Sequence, residues 1–357
     1  MGMARPYVFA FVVIGPACVL AGCFPDYQVG DGTSNGGDGG GAGDGARTSD
    51  GGDATTDGGG NGDGQPPGDG GDGGAFDAAA SKLVPLGSFV FTDPSGSTMT
   101  TATLSHDVYF DTHELTVATL RAWVAAAKPF PCAGASCPLD PGGPYASKIV
   151  WYPAWNQFVA KEDYKDPSCQ AAGISQQGFP TYNGTDDTVP ANCLNWYQAA
   201  ALCWFDGGKR LPTQVEWQYE ATGRGRGRTY PWGDTPVPSD CSRAIWRNDG
   251  GSFQNFDGCG FPIKVGSAPM GASFDGVDDM AGSVAEWTWD WYDNTYPPAW
   301  PTDWTGPAED AGSNFSKVVR GGNWDSPENE LRTNKLSTHG PTVAVGDVGV
   351  RCVKTKL

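Results

Sequence analysis

Gly208-Lys209-Arg210-Leu211-Pro212-Thr213-Gln214-Val215-Glu216-Trp217 holds a helix start that is legible without any other information. Thr213 with Glu216 three residues on is a capping box. The threonine hydroxyl serves the backbone N–H of Glu216, and the glutamate carboxylate reaches back to the N–H of Thr213. Trp217 and Tyr219 extend the helix until Gly223 breaks it, so Glu216 reads as a structural carboxylate and not as a catalytic acid. Immediately upstream, Gly207-Gly208 ends a helix that Asn195 opens, with Trp196, Ala199, Ala200, Cys203 and Trp204 as its apolar pattern through Phe205. Further upstream, Thr116 is placed to cap a helix from Val117 to Ala127, where Val117, Leu120, Val124 and Ala127 share a face. Between these short helices Gly and Pro recur densely. The pattern predicts an irregular α+β domain with long loops.

The rest of the 357-residue chain divides by composition. All 14 Trp fall at or after Trp123, so the capacity for a large core belongs to the C-terminal part. From Gly30 to Gly74, 21 of 45 residues are Gly, with no aromatic residue, and the stretch between Phe24 and Lys82 carries 11 Asp against Arg47 and Lys82. Such a segment has nothing to bury and is expected to stay extended and solvated, with a mean reach of about 40 Å for roughly 55 residues. The net charge of -18 is the wrong sign for a nucleic-acid partner. Leu83 to Leu357 is long enough for one large domain or two small ones.

At the N-terminus, Arg5 precedes the apolar run Tyr7 to Ile14, and Leu20-Ala21-Gly22 leads directly into Cys23. This is the pattern of a lipoprotein signal peptide, in which Cys23 is lipidated and becomes the new N-terminus. The run is too short, and too interrupted by Gly15 and Pro16, for a spanning helix. The expected organisation is therefore a signal peptide over 1–22, a lipidated Cys23 with a Gly/Asp tether over 23–82, and a folded domain over 83–357. The expected location is the cell envelope, with the membrane as a partner through the lipid. Phe24 after the cysteine favours the outer membrane.

After Cys18 and Cys23 are set aside, eight cysteines remain, at 132, 137, 169, 193, 203, 241, 259 and 352, an even number that suits an oxidised, exported domain. Loop lengths favour Cys132 with Cys137 and Cys241 with Cys259; counting alone leaves 105 pairings open. No Cys-x-x-Cys occurs and His106, His113 and His339 are scattered, which argues against zinc.

The opening stretch is followed by Tyr230-Pro231-Trp232-Gly233-Asp234, Val265-Gly266-Ser267-Ala268-Pro269, Asp279-Met280-Ala281-Gly282-Ser283-Val284-Ala285-Glu286-Trp287, Val319-Arg320-Gly321-Gly322-Asn323-Trp324 and Gly349-Val350-Arg351-Cys352. Glu114-Leu115-Thr116 stands ahead of them. In this order the blocks resemble the formylglycine-generating enzyme, or sulfatase-modifying factor, family across nearly all of 83–357. The resemblance implies that family's C-type-lectin-like single domain and a disulfide between Cys203 and Cys352.

The family's oxidases hold Cu(I) on two cysteines, five residues apart, after the Arg-Gly-Gly block, because soft thiolates suit that ion. Counted from Arg320-Gly321-Gly322, those positions are Ser326 and Leu331, so copper is not expected. A non-haem iron branch takes histidines largely from an additional helical domain, for which this chain has no room. His106 and His113 with Glu114 straddle a strand-like run and read as surface or loop residues. The resemblance also implies a Ca2+ site at Asp279 and Glu286 with main-chain oxygens of Gly282 and Val284, hard donors in a tight turn. The family's other calcium site would begin at an Asn where this chain has Ala244. Trp287, Trp289 and Trp291 alternate along one strand face, which suits a core role better than a sugar platform. Two functions follow: a surface-tethered binding or accessory module for a protein or glycan ligand, or an oxidase acting on a sulfatase-type cysteine. The missing thiolates favour the first.

Overall fold

The computed structural model describes residues 75–167, 169, 180–247, 259, 263–308 and 315–357. The signal peptide, the lipobox cysteine and the Gly/Asp tether up to residue 74 lie outside the described residues. Strands β1 (Ser81–Val84), β2 (Ser88–Thr92), β3 (Met99–Thr103) and β4 (Val108–Asp111) precede helix α1 (Val117–Ala125). β5 (Cys137–Pro138), β6 (Val150–Trp151) and the single turn α2 (Asn156–Val159) lead to α3 (Trp196–Phe205) and α4 (Gln214–Ala221). The remaining strands are β7 (Ala285–Trp291), β8 (Lys317–Arg320), β9 (Leu336–His339), β10 (Val348–Gly349) and β11 (Val353–Thr355).

β4 takes β1 on one side and β11 on the other, both antiparallel, so the first and last strands of the domain share a neighbour. β1 starts at Ser81 and Phe76 packs edge-on against Tyr109, so ordered structure begins ahead of Leu83. The second sheet runs β10-β7-β8-β9, with β10 parallel to β7 and the other pairs antiparallel. β7 is buried along nearly its whole length on both faces. Trp287 and Trp289 on one face join α1 and α3 in the largest apolar cluster, while Glu286, Thr288 and Asp290 on the other face are buried as well. Trp287 and Trp289 are therefore core, as the strand periodicity indicates, while Trp291 at the end of the strand is only partly buried. Lys317 lies between the rings of Trp196 and Trp291, 3.9 Å from each centroid, and donates to the Trp289 carbonyl.

The predicted capping box forms. Thr213 Oγ1 accepts from the Glu216 N–H at 3.1 Å and Glu216 Oε2 from the Thr213 N–H at 2.8 Å. Asn195 caps α3 through the Gln198 N–H at 3.0 Å and Gln198 returns the bond, a second box that the sequence reading missed. Thr116 stands at the start of α1 but its side chain caps nothing. The amides of Val117 and Ala118 instead donate to the carbonyls of Val189 and Asp187, so a distant loop segment does the capping. The helix ends at Ala125, two residues short of the expected end, where Ala127 and Lys128 turn to positive φ.

Four disulfides brace the described cysteines: Cys132–Cys137, Cys169–Cys193, Cys203–Cys352 and Cys241–Cys259. The two short loops and the Cys203–Cys352 link match expectation.

Candidate functional site

The charged residues of the quoted blocks are mostly spent on the fold. Arg210 grips both oxygens of Glu216 at 2.8 Å. Burial alone would push the Glu216 carboxyl up, but Arg210 outweighs it and holds the group well below the usual carboxylate range. His106 stands against this pair, 3.6 Å from Glu216 and 3.5 Å from Asp303, with its ring edge-on to Tyr145. It is nearly buried, which corrects the surface reading of this histidine. Burial would lower its pKa, yet the two carboxylates raise it to about 9. His113 lies elsewhere, half-exposed and 3.3 Å from Asp278. The two histidines do not come together.

Of the residues expected to hold calcium, Glu286 is fully engaged. Its Oε1 accepts from Arg351 at 2.8 and 3.0 Å and its Oε2 from the Trp217 indole at 2.7 Å. That carboxylate does not fit a metal ligand. Asp279 sits at φ +59° with one oxygen accepting the Gly266 N–H. Gly282, at φ +80°, is pressed so close to the 245 backbone that a Cβ would lie 2.3 Å from the Ile245 oxygen. Glu114, only 2% exposed, has both carboxylate oxygens without a hydrogen bond. Burial and then the Asp279 charge push its pKa well above the usual value. An orphaned buried carboxylate beside Asp279 is the feature of this region that fits a cation. Ala244 is buried in a small apolar cluster and offers the second calcium position no side-chain oxygen.

The positions of interest after Arg320-Gly321-Gly322 lie at the end of β8. Gly321 and Gly322 take φ of +95° and +66°, and a Cβ on Gly322 would meet the Glu330 carbonyl at 2.9 Å and Leu331 Cδ2 at 2.8 Å. This turn sends Ser326 back toward Asn323. The Asn323 N–H donates to Ser326 Oγ at 3.0 Å, and Ser326 Oγ donates to Asn323 Oδ1 at 3.1 Å. Asn323 Nδ2 in turn donates to Asp347 Oδ2 at 2.9 Å. Leu331, 1% exposed, packs with Tyr230 and Trp246.

Ser326, Asn323 and Gly322 open into a cavity of about 200 Å³ completed by Glu330, Ser337, His339 and Asp347. Burial lowers the His339 pKa, so the imidazole is neutral at pH 7. The Ser326 hydroxyl is paired with an amide oxygen, which is no base, so the serine is not activated as a nucleophile. What the cavity offers is a small set of neutral donors and carboxylate acceptors, suited to holding a polar group. Sequence reasoning missed His339, Glu330 and Asp347 because they reach the cavity from separate segments; only the glycine pair marks the place.

Residues 74–356 match the model of the sulfatase-modifying factor enzyme 1-like domain. The chain belongs to this family. It is 35% identical to the formylglycine-generating enzyme of Streptomyces coelicolor over 175 residues, 46% of this chain and 52% of that enzyme, so the match spans about half the length of that relative. It is 27% identical over 210 residues to the mouse inactive C-alpha-formylglycine-generating enzyme 2, covering 56% of this chain and 58% of that protein. Among solved structures, PvdO from Pseudomonas aeruginosa superposes with a TM-score of 0.51 at 18% identity, over 80% of this chain and 98% of its own. These likenesses agree with the α+β, C-type-lectin-like fold. Within a sulfatase-modifying factor domain, the blocks that carry the resemblance are the buried ion pairs, the capping box and the glycine turn described above.

Proposed function

We propose that this chain is a lipid-anchored envelope protein whose sulfatase-modifying factor domain serves as a binding or accessory module and not as a copper oxidase. The observation that carries this reading is the state of the cysteines. Among the described residues all eight are in disulfides, and the two positions that match the copper cysteines of the family's oxidases are a serine paired with Asn323 and a leucine in the core. Cu(I) needs soft thiolate donors, and a hydroxyl and an isobutyl group supply none. The existence of a relative named as inactive is consistent with a family fold kept without its oxidase chemistry. In this reading Cys23 carries the lipid in the outer membrane, and the Gly/Asp tether lets the domain stand away from it to meet a protein or glycan ligand.

Calcium belongs to the same proposal, with Asp279 and the main-chain oxygens of Gly282 and Val284 as its donors and the buried, unsatisfied carboxyl oxygens of Glu114 beside Asp279 as the supporting observation. Glu286 is left out of the set because Arg351 and Trp217 already use it.

The experiment is a Cu(I) titration of the oxidised protein against a chromogenic chelator. The protein should fail to withdraw copper from the chelator. Stoichiometric withdrawal that disappears on substitution of any one cysteine would sink the proposal.

A further inference from the structure

Gly223-Arg224-Gly225-Arg226-Gly227-Arg228 follows α4 and takes no part in the cavity or the buried ion pairs above. The three glycines have φ of +72°, +70° and +74°, and Arg224 itself has +62°. This succession of left-handed residues coils the segment tightly. A Cβ on Gly223 would lie 2.9 Å from Arg228 Cδ and one on Gly225 would lie 2.3 Å from Phe89 Cβ. The glycines therefore let the Arg228 side chain cross the turn and let the turn sit on the β2 surface.

The coil brings all three guanidinium groups around one ring. The Cζ atoms of Arg226, Arg224 and Arg228 lie 3.8, 5.3 and 5.3 Å from the centroid of Phe274, which is 44% exposed. Arg224 is paired with Asp275 through Nε at 2.8 Å. Arg226 and Arg228 reach only the carbonyls of Gly223 and Pro231, at 3.2 and 3.1 Å. Among the described residues neither has a carboxylate at ion-pair distance, although Asp234 lies within electrostatic reach of Arg228. Glu220, beneath the patch, is raised by burial to about 8 and hydrogen-bonds Ser273, so it adds little negative charge at neutral pH.

Asp275 offsets Arg224, which leaves Arg226 and Arg228 as two like charges around one aromatic ring that repel one another, and a counter-anion relieves that repulsion. Guanidinium forks pair bidentately with tetrahedral oxyanions, and the Phe274 ring fixes their orientation in advance. We infer that the Arg224–Arg226–Arg228 cluster on Phe274 is a binding site for sulfate or phosphate ester groups carried on a glycan chain. A bilayer is the weaker occupant. An anionic membrane meets the whole face of a chain whose net charge is -18 and is repelled by it, whereas a single ester group on a short glycan segment meets only the arginine cluster. The inference is independent of the copper question, and its failure would leave the non-oxidase reading as it stands.

Binding of a heparin-derived sulfated hexasaccharide to the full-length protein in detergent tests it directly. Binding should be measurable at 50 mM NaCl and weaken at least tenfold at 300 mM. The Arg226→Ala, Arg228→Ala double variant should bind at least tenfold more weakly with an unchanged melting temperature. Phe274→Ala keeps every charge but removes the ring that aligns them, and should cost at least threefold. Undetectable binding at 50 mM, equal affinity for the desulfated hexasaccharide, or wild-type affinity in either variant would overturn the site. Tighter binding to phosphatidylglycerol vesicles than to the hexasaccharide would overturn the glycan assignment.

Discussion

His106 illustrates how a residue acquires a structural role that its sequence position conceals. One odd-spaced histidine beside a strand gives no hint that Asp303, almost two hundred residues away, will stand 3.5 Å from it. Folding brings that carboxylate and Glu216 to the imidazole and raises its pKa from 6.5 to about 9 against the effect of burial. A group whose folded pKa is raised contributes stability fully below its unfolded value, and that contribution is lost as pH climbs through the folded value. The melting temperature should therefore fall as pH rises from 6.5 toward 9.5, and His106→Gln should flatten this dependence while lowering stability at pH 6. A variant that retains the wild-type slope would place the titration elsewhere. Glu216, by contrast, was readable as a capping carboxylate; what the sequence withheld was its bidentate partner Arg210. Glu216→Gln leaves that guanidinium buried without its counter-charge and should cost about 3–5 kcal/mol, read by urea unfolding.

At the level of elements, α3 and α4 were legible because their ends are written in local chemistry: Asn195, Thr213, Glu216 and the glycines at 207, 208 and 223. The start of α1 was legible in place but not in mechanism, since carbonyls of residues 187 and 189 supply what the Thr116 side chain was expected to supply. The 200 Å³ cavity was not legible at all, because Asn323, Ser326, His339 and Asp347 meet only when β8, β9 and the approach to β10 pair around β7. Long-range contacts of this kind leave no periodic trace. The Cys203–Cys352 bridge fastens α3 to the start of β11 across a separation of 149 residues. In the chain-entropy view, removing it with Cys203→Ser and Cys352→Ser together should cost about 5 kcal/mol. A denaturation midpoint within error of wild type would mean that the link adds nothing to the pairing of β11 with β4.

Across the whole molecule, the most recognisable residues hold the fold together, and the metal chemistry proposed for it is divided. In the proposed reading, Ser326 and Leu331 offer Cu(I) no soft donor, while the turn at Asp279 offers hard oxygens beside the unsatisfied carboxyl of Glu114. An ion that binds only the native state stabilises it by mass action, about 2.7 kcal/mol at a hundred times its dissociation constant. Saturating Ca2+ should therefore raise the melting temperature by several degrees, chelation should reverse the rise, and Asp279→Asn should abolish it; indifference to chelator would remove calcium from the account. Tethering is tested separately, because fatty-acid labelling of the expressed protein should vanish in Cys23→Ser. The measurement that bears most directly on the central claim is turnover. Purified protein with Cu(I), a thiol reductant, O2 and a Cys-x-Pro-x-Arg peptide should yield no aldehyde above the protein-free control by mass spectrometry. Aldehyde formed above that control, and lost on substitution of a residue in this chain, would contradict the non-oxidase reading.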